Sequence, residues 1–198
     1  MGKARLEAFT DGVIAIIITI MVLELKVPAG ATLSALRPLA PVLGSYLLSF
    51  LFVASFWNNH HHMFLATERV SGAVLWANMG LLFSLSLLPF ATGWMGETHL
   101  APVPTALYCA ILVISSVAYF VLQGTILLAQ GTDSVLGVAL GNDVKGKATL
   151  VILIVAFACA FWVPLVSVAI CGLVDVIWLV PDRRIERALA AVKGGVEP

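Results

Sequence analysis

Polar side chains inside long apolar segments are the residues of this chain that could carry chemistry. They are His60, His61, His62, Asp11, Asn78 and Asp175. If each segment is a helix, a rise of 1.5 Å per residue puts all of them about 9–15 Å from the same end of the segments. The sequence therefore predicts one shared polar layer.

Three kinds of chemistry fit such a layer. It could be a structural network that holds helix ends together, or a proton-sensitive switch, because histidine titrates near neutral pH. It could also be a metal or haem site, but helical ligands usually stand at i and i+4, and three consecutive histidines lack that spacing. Neighbouring histidines point about 100° apart, so at most two can face one neighbour. The spacing thus favours a structural network over a metal site.

The first apolar segment, Ala8–Leu25, has a second pattern. On a helical wheel one arc of about 100° is aliphatic except for a single hydroxyl. Its members are Ile16, Thr19, Ile20 and Leu23. Spacing alone allows lipid contact, helix packing or a pore lining with a hydrophobic constriction. Asp11 points roughly 140° away, so we expect it to be buried against His60 or His61 and Asn78.

Composition sets the class of protein. Of 198 residues 61% are hydrophobic and only 11% are charged, against about 25% charged in soluble domains. This predicts a polytopic membrane protein with the lipid bilayer as a partner and no cofactor. A formal net charge of zero argues against a nucleic-acid partner. The sequence shows no cleavage site after the first segment, which we expect to remain.

Six apolar segments predict an all-α membrane protein with one six-helix domain, residues 1–198. They are Ala8–Leu25, Pro41–Leu65, Gly72–Met95, Val103–Ala129, Ala148–Val163 and Leu165–Val180. The last two are short and could be one kinked helix. Lys145 precedes the pair and Arg183 follows it. Because cytoplasmic loops attract Lys and Arg, we expect a tight hairpin at Pro164 instead.

The same rule orients the whole chain. Nine basic residues fall on one side of the six segments: Lys3, Arg5, Arg69, Lys145, Lys147, Arg183, Arg184, Arg187 and Lys193. Only Lys26 and Arg37 fall on the other. We therefore expect both termini in the cytoplasm of a multi-pass protein of the plasma membrane. The connection 131–142 is polar and is expected to be a mobile loop.

Three motifs now resemble one family. Arg5, Phe9, Thr10 and Asp11 come close to the R-x-x-x-F-S-D signature that opens the first helix of the endolysosomal potassium channels called transmembrane protein 175 and their prokaryotic homologues. FWxxHH (Phe56, Trp57, His60, His61) and WxN (Trp76, Asn78) are also similar to that family. The resemblance covers the length and six-helix layout of the chain. Thr10 replaces the family's serine but keeps the hydroxyl.

The resemblance implies a homotetrameric potassium channel in which each subunit gives its first helix to a central pore. It implies that Ile16 forms the constriction, that Thr19 contributes to selectivity, and that Ile20 and Leu23 form further aliphatic layers. The physical reasoning agrees, because a closed cyclic oligomer can enclose a path around equivalent helices and a ring of isoleucines can block ions by dewetting. With no charged ring in mid-pore, potassium selectivity should be modest.

Two other functions stay open. A proton-coupled secondary transporter could use Asp11 and the histidines as a relay, although such proteins usually have internal repeats and broken helices, and neither is visible here. A small membrane enzyme with histidine ligands would need more convergent polar groups than one layer supplies. We therefore expect a channel and not an enzyme.

Overall fold

The computed structural model describes residues 2–179, and this part of the chain is helical without strands. The helices are α1 Lys3–Leu23, α2 Ala40–Leu65, α3 Gly72–Ser86, α4 Leu88–Glu97, α5 Pro102–Gln130, α6 Val135–Leu140, α7 Val144–Cys159 and α8 Pro164–Leu179, and a 3₁₀ helix, Leu33–Leu39, leads into α2. The predicted all-α fold class is confirmed. Val180 and the four basic residues that follow it in the orientation argument lie outside the described residues.

Within residues 2–179, four helical stretches are long and apolar enough to cross a membrane, judged by length and composition. They are Lys3–Leu23, Leu33–Leu65, Gly72–Glu97 and Pro102–Gln130. The first of them has 21 residues and is therefore about 31 Å long, which matches the hydrocarbon core of a bilayer. Helix α7 has 16 residues and reaches only about 24 Å. The described part of α8 also has 16 residues.

The third apolar segment is broken, whereas the sequence predicted one continuous helix. Helix α3 ends at Ser86 and α4 begins at Leu88, with Pro89 in its first turn. Proline has no backbone N–H, so it cannot donate to the carbonyl of Leu85 one turn earlier. The hydroxyl of Ser86 donates to the carbonyl of Phe83, at 2.7 Å, and so satisfies a carbonyl that the break releases.

Helices α7 and α8 form an antiparallel hairpin that turns just before Pro164. Near the turn the Ser167 hydroxyl donates to the Ala156 carbonyl. Further away the Trp178 indole Nε1 donates to the Thr149 hydroxyl at 2.9 Å. These nested pairs require the two helices to run in opposite directions, so the predicted hairpin at Pro164 is confirmed.

The connection between α5 and α7 is more ordered than predicted. It contains α6, whose residue Leu136 is fully buried, because its apolar side chain packs into the hydrophobic core. The expectation of a mobile polar loop at 131–142 is therefore wrong for its central part.

Glycine allows α4 to approach α2 closely. A Cβ atom added at Gly96 would lie 2.8 Å from the Cα atom of Val42. The same end of α4 is tied to the segment after α1, because Lys26 Nζ donates to Glu97 Oε1. The hydrogen bond and the negative charge of Glu97 raise the pKa of Lys26.

Candidate functional site

Helix α1 has one face packed against its own subunit and one face turned away from it. The packed face is formed by Leu6, Thr10, Ile14, Ile17 and Met21, all of which are buried. On the opposite face Ile16 is 57% exposed, Ile20 43% and Leu23 78%. The spacing of 16, 20 and 23 thus corresponds to a continuous aliphatic stripe that no described residue of the same subunit covers.

Thr19 lies beside this stripe and is also exposed. Its hydroxyl lies 3.0 Å from the carbonyl oxygen of Ala15 and 3.0 Å from that of Ile16, and it donates to this pair within the helix. The side chain is therefore held in one orientation on the surface of α1. The four residues predicted to act together are brought together on one face.

A buried chain of hydrogen bonds joins α1, α2 and α3. Asn78 of α3 donates from Nδ2 to the Thr10 hydroxyl at 2.9 Å, and its Oδ1 lies 2.8 Å from Nε2 of His60. Because Oδ1 can only accept, Nε2 of His60 is the donor. His60 also stacks on Phe64, with ring centroids 4.3 Å apart. All three bonded side chains are buried, so His60 and Asn78 of the predicted layer lie together with Thr10. Asp175, also expected in that layer, lies on α8 and takes no part in these bonds.

Asp11 does not belong to this buried chain, and the prediction that it packs against His60 or His61 and Asn78 is wrong. It is exposed in the subunit and accepts a hydrogen bond from Nε1 of Trp57, at 2.8 Å. A neutral hydroxyl, that of Thr10, takes the buried position, since burying a carboxylate would cost far more free energy. One residue further along the helix the side chain turns by about 100°, which takes Asp11 to the edge of the subunit.

Trp57 is the partner of Asp11, and no separate role was predicted for it from the sequence. Its ring stacks on His61, with ring centroids 6.0 Å apart, so it connects His61 indirectly to Asp11. The FWxxHH motif contained the only sequence signal for this connection. Arg5 and Phe9, the other residues of the first-helix motif apart from Thr10, are exposed on α1.

The described residues offer no metal centre. Within 2–179 no three His, Cys, Asp or Glu side chains come together closely enough to hold a metal ion. Cys109 and Cys171 lie with their sulfur atoms 3.8 Å apart, and both are buried. The Ser167 hydroxyl is 3.2 Å from the Cys109 sulfur, so this group is part of the packing between α5 and α8.

The known proteins that this chain resembles are named as channels. Residues 5–89 match the family model described as endosomal/lysosomal potassium channel TMEM175. The chain is similar to a protein named as a potassium channel from Chryseobacterium sp. (strain P1-3), with 46% identity over 189 residues, covering 96% of this chain and 98% of that one. It is also similar to the endosomal/lysosomal proton channel TMEM175 of Mus musculus, with 31% identity over 151 residues, which are 66% of this chain and 29% of the mouse protein.

A solved structure is similar over nearly the whole chain. It is the crystal structure of a lysosomal potassium-selective channel TMEM175 homolog from Chamaesiphon minutus. The TM-score is 0.80 at 28% sequence identity, and the match covers 91% of this chain and 97% of that one.

Proposed function

The chain belongs to the TMEM175 family of channels, and from this premise we propose that it is a subunit of a potassium-selective cation channel. Four copies, each with six membrane-spanning segments, surround a central pore to which each contributes α1. Both termini lie in the cytoplasm, and the channel lies in the plasma membrane. The family is one of channels and not of enzymes, which supports passive ion flow as the activity.

The observation that carries this proposal is the uncovered stripe of α1. Ile16, Ile20 and Leu23 are exposed although the other face of the same helix is fully packed. Lipid could cover such a stripe, but so could three further copies of α1 around a symmetry axis. The relatives named as potassium channels favour the second arrangement.

In that arrangement Ile16 forms the narrowest ring. Four isoleucine side chains exclude water from a narrow pore, and an ion that cannot keep its hydration shell meets a barrier there. Thr19, one turn further along the helix, offers hydroxyl oxygens that replace part of the shell. Because this pore contains hydroxyls and no carboxylate ring between Ile16 and Leu23, it prefers potassium only modestly.

Replacing Ile16 by Asn tests the constriction. The amide hydrates the ring, so conductance should rise and ion discrimination should fall. The measurement is the bi-ionic reversal potential of purified protein in liposomes, together with single-channel conductance. Ile114→Asn is the matched control, because Ile114 on α5 is 54% exposed, close to the 57% of Ile16. Equal behaviour of Ile16→Asn and the parent protein would rule out Ile16 as the constriction.

Thr19→Val tests the selectivity role with a side chain of the same shape. It should shift the reversal potential towards equal permeability for potassium and sodium while the pore still closes. Thr125→Val on α5 is the control, since the Thr125 hydroxyl also donates within its own helix, to Leu122.

Cysteine substitutions at positions 16 and 20 test whether α1 lines the pore, and both cysteines should react with pore-permeant reagents. Failure of both to react would move the proposal to the proton-coupled transporter.

Proton conduction is a second candidate, because the mouse relative is named a proton channel. A potassium-free liposome with a pH gradient distinguishes the two activities. Discrete unitary currents carried by protons would assign proton permeation to the same pore, whereas saturable flux without unitary steps would indicate a transporter.

A further inference from the structure

Helices α2, α5, α7 and α8 enclose a cavity that the proposed pore does not use. Its volume is about 60 Å³, and it is partly open to the surroundings. The walls are largely aromatic and apolar, formed by Phe52, Phe56, Phe120, Val174 and Trp178. Such a space holds a few small atoms or water molecules.

Asp175 of α8 lines this cavity and is only 2% exposed. Its Oδ2 has no hydrogen-bond partner within the described chain. A buried carboxylate oxygen without a donor is costly. The side chain therefore lacks a donor that the cavity has room to supply.

Two of the donors around the cavity are already occupied. Trp178 gives its only indole hydrogen to Thr149, at 2.9 Å, and Tyr119 gives its hydroxyl hydrogen to the Asn59 carbonyl, at 3.2 Å. A ligand in the cavity would thus meet an unsatisfied acceptor at Asp175, whereas the donors of Trp178 and Tyr119 are already used within the protein. A group with N–H donors would satisfy the free oxygen of Asp175 and so complete the site.

We propose that this cavity binds a primary ammonium group at the end of a short carbon chain. Its N–H donors satisfy Asp175, while its charge and methylene groups lie against the aromatic walls, which attract cations. A metal ion would need several oxygen ligands in place of these carbon walls. The ammonium group can come from a dissolved alkylamine or from the ethanolamine headgroup of a lipid.

The direct test is calorimetric titration of the purified full chain with propylammonium chloride, first in phosphatidylcholine nanodiscs. We expect saturable binding to the parent protein and at least tenfold weaker binding to Asp175→Asn, which keeps the shape of the side chain. Asp133→Asn is the control, because Asp133 is an exposed acid, and its affinity should equal that of the parent. Absence of binding to the parent, or equal affinity in Asp175→Asn, would overturn the proposal.

Two further measurements guard against a variant that fails to fold. Ser116 is 8% exposed and lines the cavity, so Ser116→Leu should fill it and weaken binding at least tenfold while Asp175 is retained. On the parent protein, n-propanol should bind at least tenfold more weakly than propylammonium. Equal binding of the two compounds would mean an apolar cavity only and would refute the ammonium site.

The source of the ammonium group is decided by the lipid. In nanodiscs that contain phosphatidylethanolamine, a headgroup in the cavity competes, and the apparent Kd for propylammonium rises relative to phosphatidylcholine. An unchanged Kd assigns the site to dissolved amines. Either result upholds the ammonium site as long as Asp175→Asn removes the binding.

Discussion

Replacing Asn78 by Leu should remove the centre of the buried hydrogen-bond chain without a large change in volume. Asn78 is fully buried and bonds to Thr10 at 2.9 Å and to His60 at 2.8 Å. Leucine can make neither bond. The substitution therefore leaves two buried polar side chains, on two different helices, without their partner.

The magnitude follows from these two bonds. A buried polar group left unsatisfied costs about 1–3 kcal/mol, so two such groups cost about 2–6 kcal/mol. Hydrogen bonds between membrane helices average only about 0.6 kcal/mol in double-mutant cycles, which gives a lower value of about 1.2 kcal/mol. We expect the free energy of unfolding to fall by an amount between these limits. Adding Thr10→Val should cost less than it does alone, because both partners of one bond are then apolar.

The assay is equilibrium unfolding in mixed detergent micelles, run as a double-mutant cycle on Thr10 and Asn78. Asn142→Leu is the matched control, since Asn142 is exposed and the same substitution there should change stability by about 0.5 kcal/mol or less. Two results would refute the reasoning: a loss in Asn78→Leu no larger than in Asn142→Leu, or strict additivity of the two single substitutions.

Two more substitutions probe contacts of α2 with α4 and with α1. Gly96→Ala should lower the free energy of unfolding by about 1–3 kcal/mol, because the added Cβ would lie 2.8 Å from the Cα of Val42 and force the two helices apart. Gly80→Ala is the control: the space around its added Cβ is open, so the same assay should show no loss of stability. Trp57→Phe keeps an aromatic ring but removes the donor to Asp11. It should lower the free energy of unfolding by about 0.5–1.5 kcal/mol in that assay. No loss of stability would mean that water replaces this hydrogen bond at no cost.

The sequence predicts much of this fold because long apolar runs determine where membrane helices lie. The hairpin at Pro164 followed from charge placement, which acts over the whole chain. The break before Pro89 was missed because proline within a membrane segment can either kink a helix or divide it. Helix α6 was missed because a six-residue helix needs tertiary contacts, such as those of Leu136, to be stable.

The polar layer could be predicted only as a layer. Depth along a helix follows from residue number, so the grouping of Thr10, His60 and Asn78 at one level was accessible from sequence. Which of two adjacent residues faces inwards depends on where the neighbouring helices lie, and no single helical wheel contains that information. For this reason Asp11 was expected in the buried layer, where the fold places Thr10. The cavity around Asp175 needs four helices to form and was inaccessible for the same reason.

The orientation of the Thr19 hydroxyl has a consequence for the sign of the charge that the proposed pore admits. Its hydrogen is directed at the carbonyl oxygens of Ala15 and Ile16, so only oxygen lone pairs remain to face the axis. A chloride ion needs a donor and would meet four oxygen atoms with none to offer, whereas a cation meets the negative ends of four dipoles. The Thr19 hydroxyl, held in this orientation by the helix backbone, can thus make the proposed channel exclude anions with no acidic side chain at that level.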